Sequence, residues 1–270
     1  SNELANASFE TWSTPIIPEY TIAEIQGDAA SSPYDGETVT THGIVTGSEA
    51  NGYFIQDGYG AWNGIYVHDD VNIPAVGDSL TITGEVNEFY DRTCIESVTA
   101  YTVNSQSNEL PDAVTLSTAN AAQEMYEGVL ISISEAACTA TEDGNGEWTV
   151  DDGSGELIVD DLMFAYSPAL DNEYNITGIL EYSYSNYKIE PRDADDIEDL
   201  GNPADDVSIT EQPGDTAICE GESIEFVVVA EGAEPFTYEW YLDGDMIPDS
   251  DNDTLVATEA GEYTCEISNA

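Results

Sequence analysis

From Gly36 onward, apolar residues fall in short runs rich in Val, Ile, Thr and Tyr, and each run is bounded by Gly, Asp or Asn. Residues 38–45, 52–57, 64–68 and 78–86 have this character, which predicts strands. Ahead of them, Thr21-Ile22-Ala23-Glu24 has capping-box spacing, and Gly27 can end a single short helix. Residues 1–20 predict an extended lead-in, because Pro15 and Pro18 block regular structure.

The same series recurs about 94 residues later. Tyr34-Asp35-Gly36 matches Tyr126-Glu127-Gly128, and Asp57-Gly58-Tyr59-Gly60 matches Asp152-Gly153-Ser154-Gly155. Thr81-Ile82-Thr83-Gly84 matches Asn175-Ile176-Thr177-Gly178, and Cys94-Ile95-Glu96 falls where Lys188-Ile189-Glu190 does. Four landmarks in one order identify a tandem duplication of an all-β module, 21–112 and 113–200. Five or so strands per repeat, with a short helix ahead, suit a small closed barrel. Residues 201–206 read as a linker to a third domain, 207–270.

Charge narrows the function classes. The 270 residues carry 56 acidic and 3 basic side chains, a formal net charge of −53. With Arg92, Lys188 and Arg192 as the whole basic inventory, direct binding to nucleic acid or an anionic membrane is excluded, since such affinity rests on cations meeting phosphates. No apolar run approaches the ~20 residues of a membrane-spanning helix. Aromatics at 10% and hydrophobic residues at 41% are enough to bury cores, which argues against disorder. Self-repulsion at this charge predicts stabilisation by salt or by cations that clustered carboxylates bind.

Gly52-Tyr53-Phe54-Ile55-Gln56-Asp57, Val76-Gly77-Asp78 and Thr83-Gly84-Glu85-Val86-Asn87-Glu88-Phe89 resemble the OB-fold-like modules of secreted bacterial proteins, including large extracellular nucleases. Leu110-Pro111 followed by Tyr126-Glu127-Gly128-Val129-Leu130 is similar to the entry of the second module in those proteins. The resemblance implies two tandem OB-like barrels over about 20–200. The nucleases keep their catalytic residues in a separate domain.

In the third domain, Cys219, Trp240 and Cys265 stand at immunoglobulin spacing, and Tyr263 occupies the tyrosine-corner position two residues before Cys265. This stretch resembles the Ig-like domains of secreted Bacteroidetes proteins. An even count of four cysteines around such a pattern points to an oxidising, extracellular setting. A Cys219–Cys265 disulfide against Trp240 is expected, as is a Cys94–Cys138 bridge locking the two barrels. After Cys265 only a few residues follow, so strand F is expected to have an open edge. Continuation of the chain would fill it, as would a strand donated by another copy. The lead-in, with Phe9, Trp12, Ile16 and Ile17, is the available donor.

Candidate chemistry is sparse. His42 and His68 fall in strands with nothing to pair them as base and orienter, and Gly153-Ser154-Gly155 reads as a hairpin turn rather than a nucleophile elbow. Neither Cys94 nor Cys138 has a basic neighbourhood that would stabilise a thiolate. Carboxylate pairs at Asp69-Asp70, Asp151-Asp152 and Asp160-Asp161, and the group Asp193, Asp195 and Asp196, lie in loops or at strand ends. Asp249, Asp251 and Asp253 alternate as at the start of a calcium loop, although Thr254 and Ala260 replace the Gly and Glu of an EF-hand. They are the candidate calcium ligands. Tyr182, Tyr184 and Tyr187 read as an aromatic face on one strand, available for stacking. Asp78-Ser79-Leu80, Asp215-Thr216-Ala217 and Asp253-Thr254-Leu255 resemble a bacterial O-glycosylation triplet.

The expectation is therefore an all-β protein of two OB-like barrels and an Ig-like sandwich, secreted or at the cell surface. Its expected role is a non-catalytic scaffold or adhesin, or a subunit of an extracellular filament, whose partners are copies of itself or cell-surface components. The alternatives are the accessory region of a secreted nuclease and a glycan-binding module.

Overall fold

The computed structural model describes residues 16–203, 206–217, 219, 221–233 and 235–269. The protein is all-β, with a closed five-stranded barrel. The first helix, α1 (Ile22–Gln26), forms as the sequence predicts. Thr21 Oγ1 accepts from the Glu24 amide at 3.2 Å, the Glu24 carboxylate accepts from the Thr21 amide at 2.9 Å, and Gly27 ends the helix at φ 74°. Five residues are too few to be stable alone. Burial of Ile22 and Ile25 in the barrel core holds the helix in place, at about 1.5–3 kcal/mol per side chain.

The barrel consists of β1 (Thr38–Glu49), β2 (Gly52–Gln56), β3 (Gly64–His68), β4 (Ser79–Phe89) and β5 (Arg92–Ser105). Its circuit is β1-β2-β3-β5-β4, closing on β1. All pairings are antiparallel except β3–β5, where Tyr66 lies opposite Cys94. Alternation sends Leu80, Ile82 and Val86 of β4 inward with Val39, Val45, Ile55, Ile65 and Ile95. Outside the barrel, Pro18 and Tyr20 exchange backbone hydrogen bonds with Thr40 at 2.8 and 2.9 Å, so 18–20 lie against their own barrel. Ile16 is exposed, and Phe9 and Trp12 lie outside the described residues.

The second repeat traces the same circuit. After β6 (Val114–Thr115) and α2 (Thr118–Ala121) come β7 (Leu130–Ala140), β8 (Trp148–Asp151), β9 (Glu156–Val159), β10 (Glu173–Ser183) and β11 (Asn186–Glu190). The pairings run β7-β8-β9-β11-β10 and return to β7, and β9–β11 is parallel as β3–β5 is. β12 (Ile197–Gly201) continues the sheet beside β10. The correspondence extends to tertiary contacts. The Gly36 amide bonds to the Val86 carbonyl, and the Gly128 amide bonds to that of Leu180, both at 2.8 Å. Asp57 accepts from the amide of Ile22 at 2.8 Å, and Asp152 from that of Thr118 at 3.1 Å. The aligned Asp-Gly turns are thus the residues that hold each short helix onto its barrel.

A second compact unit holds β13 (Ser208–Glu211), β14 (Ile224–Val227), β15 (Val229–Glu231), β16 (Phe236–Leu242), β17 (Asp245–Met246), β18 (Thr254–Ala257) and β19 (Tyr263–Asn269). They form the sheets β13-β15, β14-β18 and β17-β16-β19. Trp240 is buried, stacks near Phe226 and donates its indole N–H to the Asn252 carbonyl at 2.9 Å. The Tyr263 hydroxyl donates to the Glu259 carbonyl at 3.0 Å. Among the described residues, β19 pairs only with β16, so one of its edges is open.

Two expectations are corrected. No disulfide joins any of the four cysteines. Cys94 packs in a cluster with Phe54 and Tyr66, whereas Cys138 belongs to the core of the second repeat, so the two sulfurs serve different hydrophobic clusters. Cys265 sits opposite Trp240 in register, but Cys219 is exposed. Tyr182, Tyr184 and Tyr187 do not share a strand. The chain reverses at Tyr184-Ser185 with φ of 48° and 67°, which places Tyr182 opposite Tyr187 across a hairpin. Two-residue turns of this kind favour Asn-Gly, which is why the sequence hid the reversal.

Candidate functional site: the junction between the repeats

The outward faces of β2, β3 and β5 present Phe54, Tyr66 and Cys94, and these pack against Leu130 and Ile179 of the second repeat with Met163 alongside. The backbones approach closely there. A Cβ on Gly64 would lie 2.2 Å from the Gly128 carbonyl oxygen, so both positions exclude side chains. The Leu130 amide donates to Gln56 Oε1 at 2.7 Å, and the Trp62 amide to the Met125 carbonyl at 2.7 Å.

The scarce cations gather at and beside this junction. Arg92, at the start of β5, pairs with Glu181 on β10, and its guanidinium lies 4.1 Å from the Tyr66 ring centroid. Arg192, just after β11, pairs with Asp196 at 2.7 Å and donates to the Thr46 carbonyl of β1 at 3.3 Å. Both arginines therefore connect one repeat to the other. Lys188, fully buried on β11, pairs with Asp160 at 2.8 Å and with Glu147. Burial pulls its ammonium down, but the bonds to Asp160 and Glu147 outweigh that and hold it above the usual lysine range.

Carboxyls crowd the same region. Glu127 accepts from the Thr93 amide at 3.0 Å, and Glu124 from the Tyr187 hydroxyl at 2.7 Å. Burial, with Glu124 nearby, pushes the Glu127 carboxyl well above the ordinary range. Burial and the Glu181 charge do the same to Glu190. Glu181 is also raised by burial, although Arg92 opposes the shift. These groups retain protons more readily folded than unfolded. Burial pushes the Cys94 thiol up to about 11, which leaves it inert as a nucleophile.

Two shallow clefts, of about 470 and 220 Å³, run along the outside of β3 and β5 and share His68 and Glu96. Asp69 and Asp70 line the larger, and Arg92 and the half-exposed Phe89 line the smaller. His42 lies on β1, 3.5 Å from Glu19 and far along the chain from His68. Asp249, Asp251 and Asp253 occupy the segment between β17 and β18, where Asp249 and Asp251 border a cleft of about 400 Å³. Among the described residues, no three His, Cys, Asp or Glu side chains converge as metal ligands, and no helix is long and apolar enough to cross a membrane. The junction role of Arg92 and Arg192 has one signal in the sequence, their rarity.

Comparison with protein-family models, with curated proteins and with solved structures gives no match.

Proposed function

We propose that this chain is a non-catalytic scaffold of the cell exterior, built of two OB-like barrels and an Ig-like sandwich. The β1-β2-β3-β5-β4 circuit with its parallel β3–β5 pair supports the OB-like reading in each repeat. The Tyr263–Glu259 bond and the buried Trp240 support the Ig-like one. One observation carries the scaffold role. Both arginines of a chain with net charge −53 connect the two barrels, and the β2–β3–β5 face of the first barrel is partly covered by the second. A surface that an isolated barrel would offer to ligands is used here to fix a module angle. Calcium at Asp249, Asp251 and Asp253 would add local stiffening. The test is retention of the fluorescently labelled chain on intact cells of its source organism, together with its sedimentation behaviour with and without millimolar calcium. Retention or calcium-dependent self-association supports the reading, and a strictly monomeric chain that no cell surface retains refutes it.

A second reading, glycan binding, rests on the hairpin tips. Tyr90 in β4–β5 and Tyr184 in β10–β11 occupy equivalent turns, both at positive φ and both more than 80% exposed. A bulky residue is disfavoured in that conformation, yet the duplication carries it twice. Exposed rings at two tips suit stacking on neutral sugar faces. Glycan-array binding that Y90A/Y184A abolishes would support it, and an array without hits would count against it.

A further inference from the structure

The dipeptide Asn-Gly stands at Asn51-Gly52, Asn63-Gly64 and Asn145-Gly146. In this pair the glycine nitrogen can attack the side-chain carbon of the asparagine, because no Cβ on the second residue obstructs the approach. The attack needs a peptide plane that can turn and a glycine amide free of the ladder. The fold withholds both at two of the three places. Gly52 is buried in β2, paired with Glu49 of β1 and His68 of β3, and a Cβ there would lie 2.2 Å from the Val67 carbonyl oxygen. Gly64 is buried in β3 opposite Gln56, with its backbone against Gly128. Asn63 is held as well, its side-chain nitrogen donating to the carbonyls of Tyr59, Gly60 and Ala61.

Asn145-Gly146 lies in the loop between β7 and β8, where residues 141–145 are exposed. Among the described residues, the Gly146 amide has no hydrogen-bond acceptor. Asn145 is held by one exposed carboxylate, that of Asp143, which accepts from its amide at 2.9 Å and from its side-chain nitrogen at 3.0 Å. Water competes for both bonds. What the loop anchors gives a reaction here a consequence. The Asp143 amide donates to the Glu147 carbonyl at 3.0 Å, which closes the turn, and the Glu147 carboxylate pairs with buried Lys188.

We propose that Asn145 converts spontaneously to isoaspartate and that the conversion releases Glu147 from Lys188. The Gly146 nitrogen bonds to Asn145 Cγ, and the side-chain nitrogen leaves as ammonia, carrying the Gly146 amide proton. Water then opens the resulting succinimide. Cleavage at Cγ leaves aspartate, and cleavage at the main-chain carbonyl leaves isoaspartate, with the backbone routed through the former side chain. No oxidant or reductant enters. The isoaspartyl chain is longer by one methylene between 145 and 146. It also carries a new carboxylate beside Asp143 and beside Asp161, whose carboxyl carbon is 2.1 Å from where a Gly146 Cβ would stand. Length and repulsion both work against the turn that holds Glu147 at Lys188.

The test ages the full chain at neutral pH, folded and in urea, and maps its peptides by mass spectrometry. Isoaspartate is marked with isoaspartyl methyltransferase. In the folded chain Asn145 should gain the mass of NH exchanged for O and accept the methyl label, while Asn51 and Asn63 stay intact. In urea all three should convert. Lys188 is the one lysine of the 270 residues, so amine acylation reads the consequence. It should be protected in the fresh chain, reactive in the isoaspartyl fraction, and still protected in N145Q aged alongside. Asn51 or Asn63 converting as fast as Asn145 in the folded chain would overturn the proposal. So would an intact Asn145 in the folded chain while the urea-treated one converts, or an isoaspartyl fraction whose Lys188 stays as protected as in the fresh chain.

Discussion

Replacing Arg92 by Met removes the charge at the repeat junction while keeping most of the side-chain volume. Arg92 is 14% exposed and Glu181 7%, so the substitution strands a carboxylate in a nearly dry site. Removing one partner of a buried pair costs about 3–5 kcal/mol, and losing the cation over Tyr66 adds about 0.5–2 kcal/mol. Residual solvent access to Arg92 places the expected total near the lower end, about 3 kcal/mol. That is a large share of the about 5–15 kcal/mol that stabilises a typical domain. The sign can be checked with pH. Glu181 has a folded pKa above its ordinary value even with Arg92 present, and without Arg92 it rises further. The R92M deficit is therefore greatest above the folded pKa of Glu181 in the variant and shrinks as pH falls and the folded protein protonates Glu181. R92M/E181L removes both charges and should recover at least about 2 kcal/mol of the loss, since an apolar pair tolerates a dry site. Urea unfolding followed by tryptophan fluorescence, at pH 7 and pH 5, measures each quantity, with Trp62 and Trp148 reporting on the two repeats. R92M within about 0.5 kcal/mol of the unmodified chain, or a double variant as unstable as the sum of its singles, would refute the reasoning.

The raised carboxyls Glu127, Glu190, Glu181 and Glu124 make the folded state bind more protons than the unfolded one at pH above the ordinary glutamate range, so stability should fall as pH rises through their folded pKa values. Asp152, lowered to about 2 because its hydrogen bonds to Ser154 and Thr118 outweigh burial, contributes in the opposite sense, and its share is lost as pH drops from 3.8 toward 2. Thermal melts should therefore peak in mild acid, and a melting temperature that climbs steadily from pH 5 to pH 8 would contradict this. D152A should destabilise more than D57A by about 1–2 kcal/mol, because Asp152 engages Thr118 and Ser154 through both oxygens while Asp57 holds only the Ile22 amide. Equal urea midpoints for the two variants would disprove that difference. Cys94 and Cys138 should be recovered as thiols that resist alkylation until the chain unfolds; a Cys94–Cys138 cross-linked peptide in a non-reduced digest would be the contrary result.

Much of this architecture is local and was legible as such. The Thr21 cap, the Glu24 return bond and the Gly27 stop depend on residues three to six apart, so their pattern in the chain is already their geometry. Strand positions were equally readable, since alternation and turn residues are short-range properties, and the two sets of strands that the repeat offset aligns share one pairing order. The Tyr182–Tyr187 hairpin escaped notice because its turn lacks Asn or Gly, and left-handed backbone at Tyr184 is imposed by the strands on either side.

Barrel closure decided the rest. The aligned Asp57 and Asp152 were visible as turn residues, but their bonds to helices about 35 residues away arise only when β2 and β8 are brought beneath α1 and α2. Arg92 and Arg192 looked in the sequence like a remnant of basic charge. Packing the second repeat against the β2–β3–β5 face turned them into the links of the junction and carried Glu127, Glu181 and Glu190 into low dielectric. Such contacts join residues separated by tens to more than a hundred positions, where neither propensity nor period constrains the partner. Which carboxylates meet a cation, and which must hold a proton, is therefore set by tertiary packing.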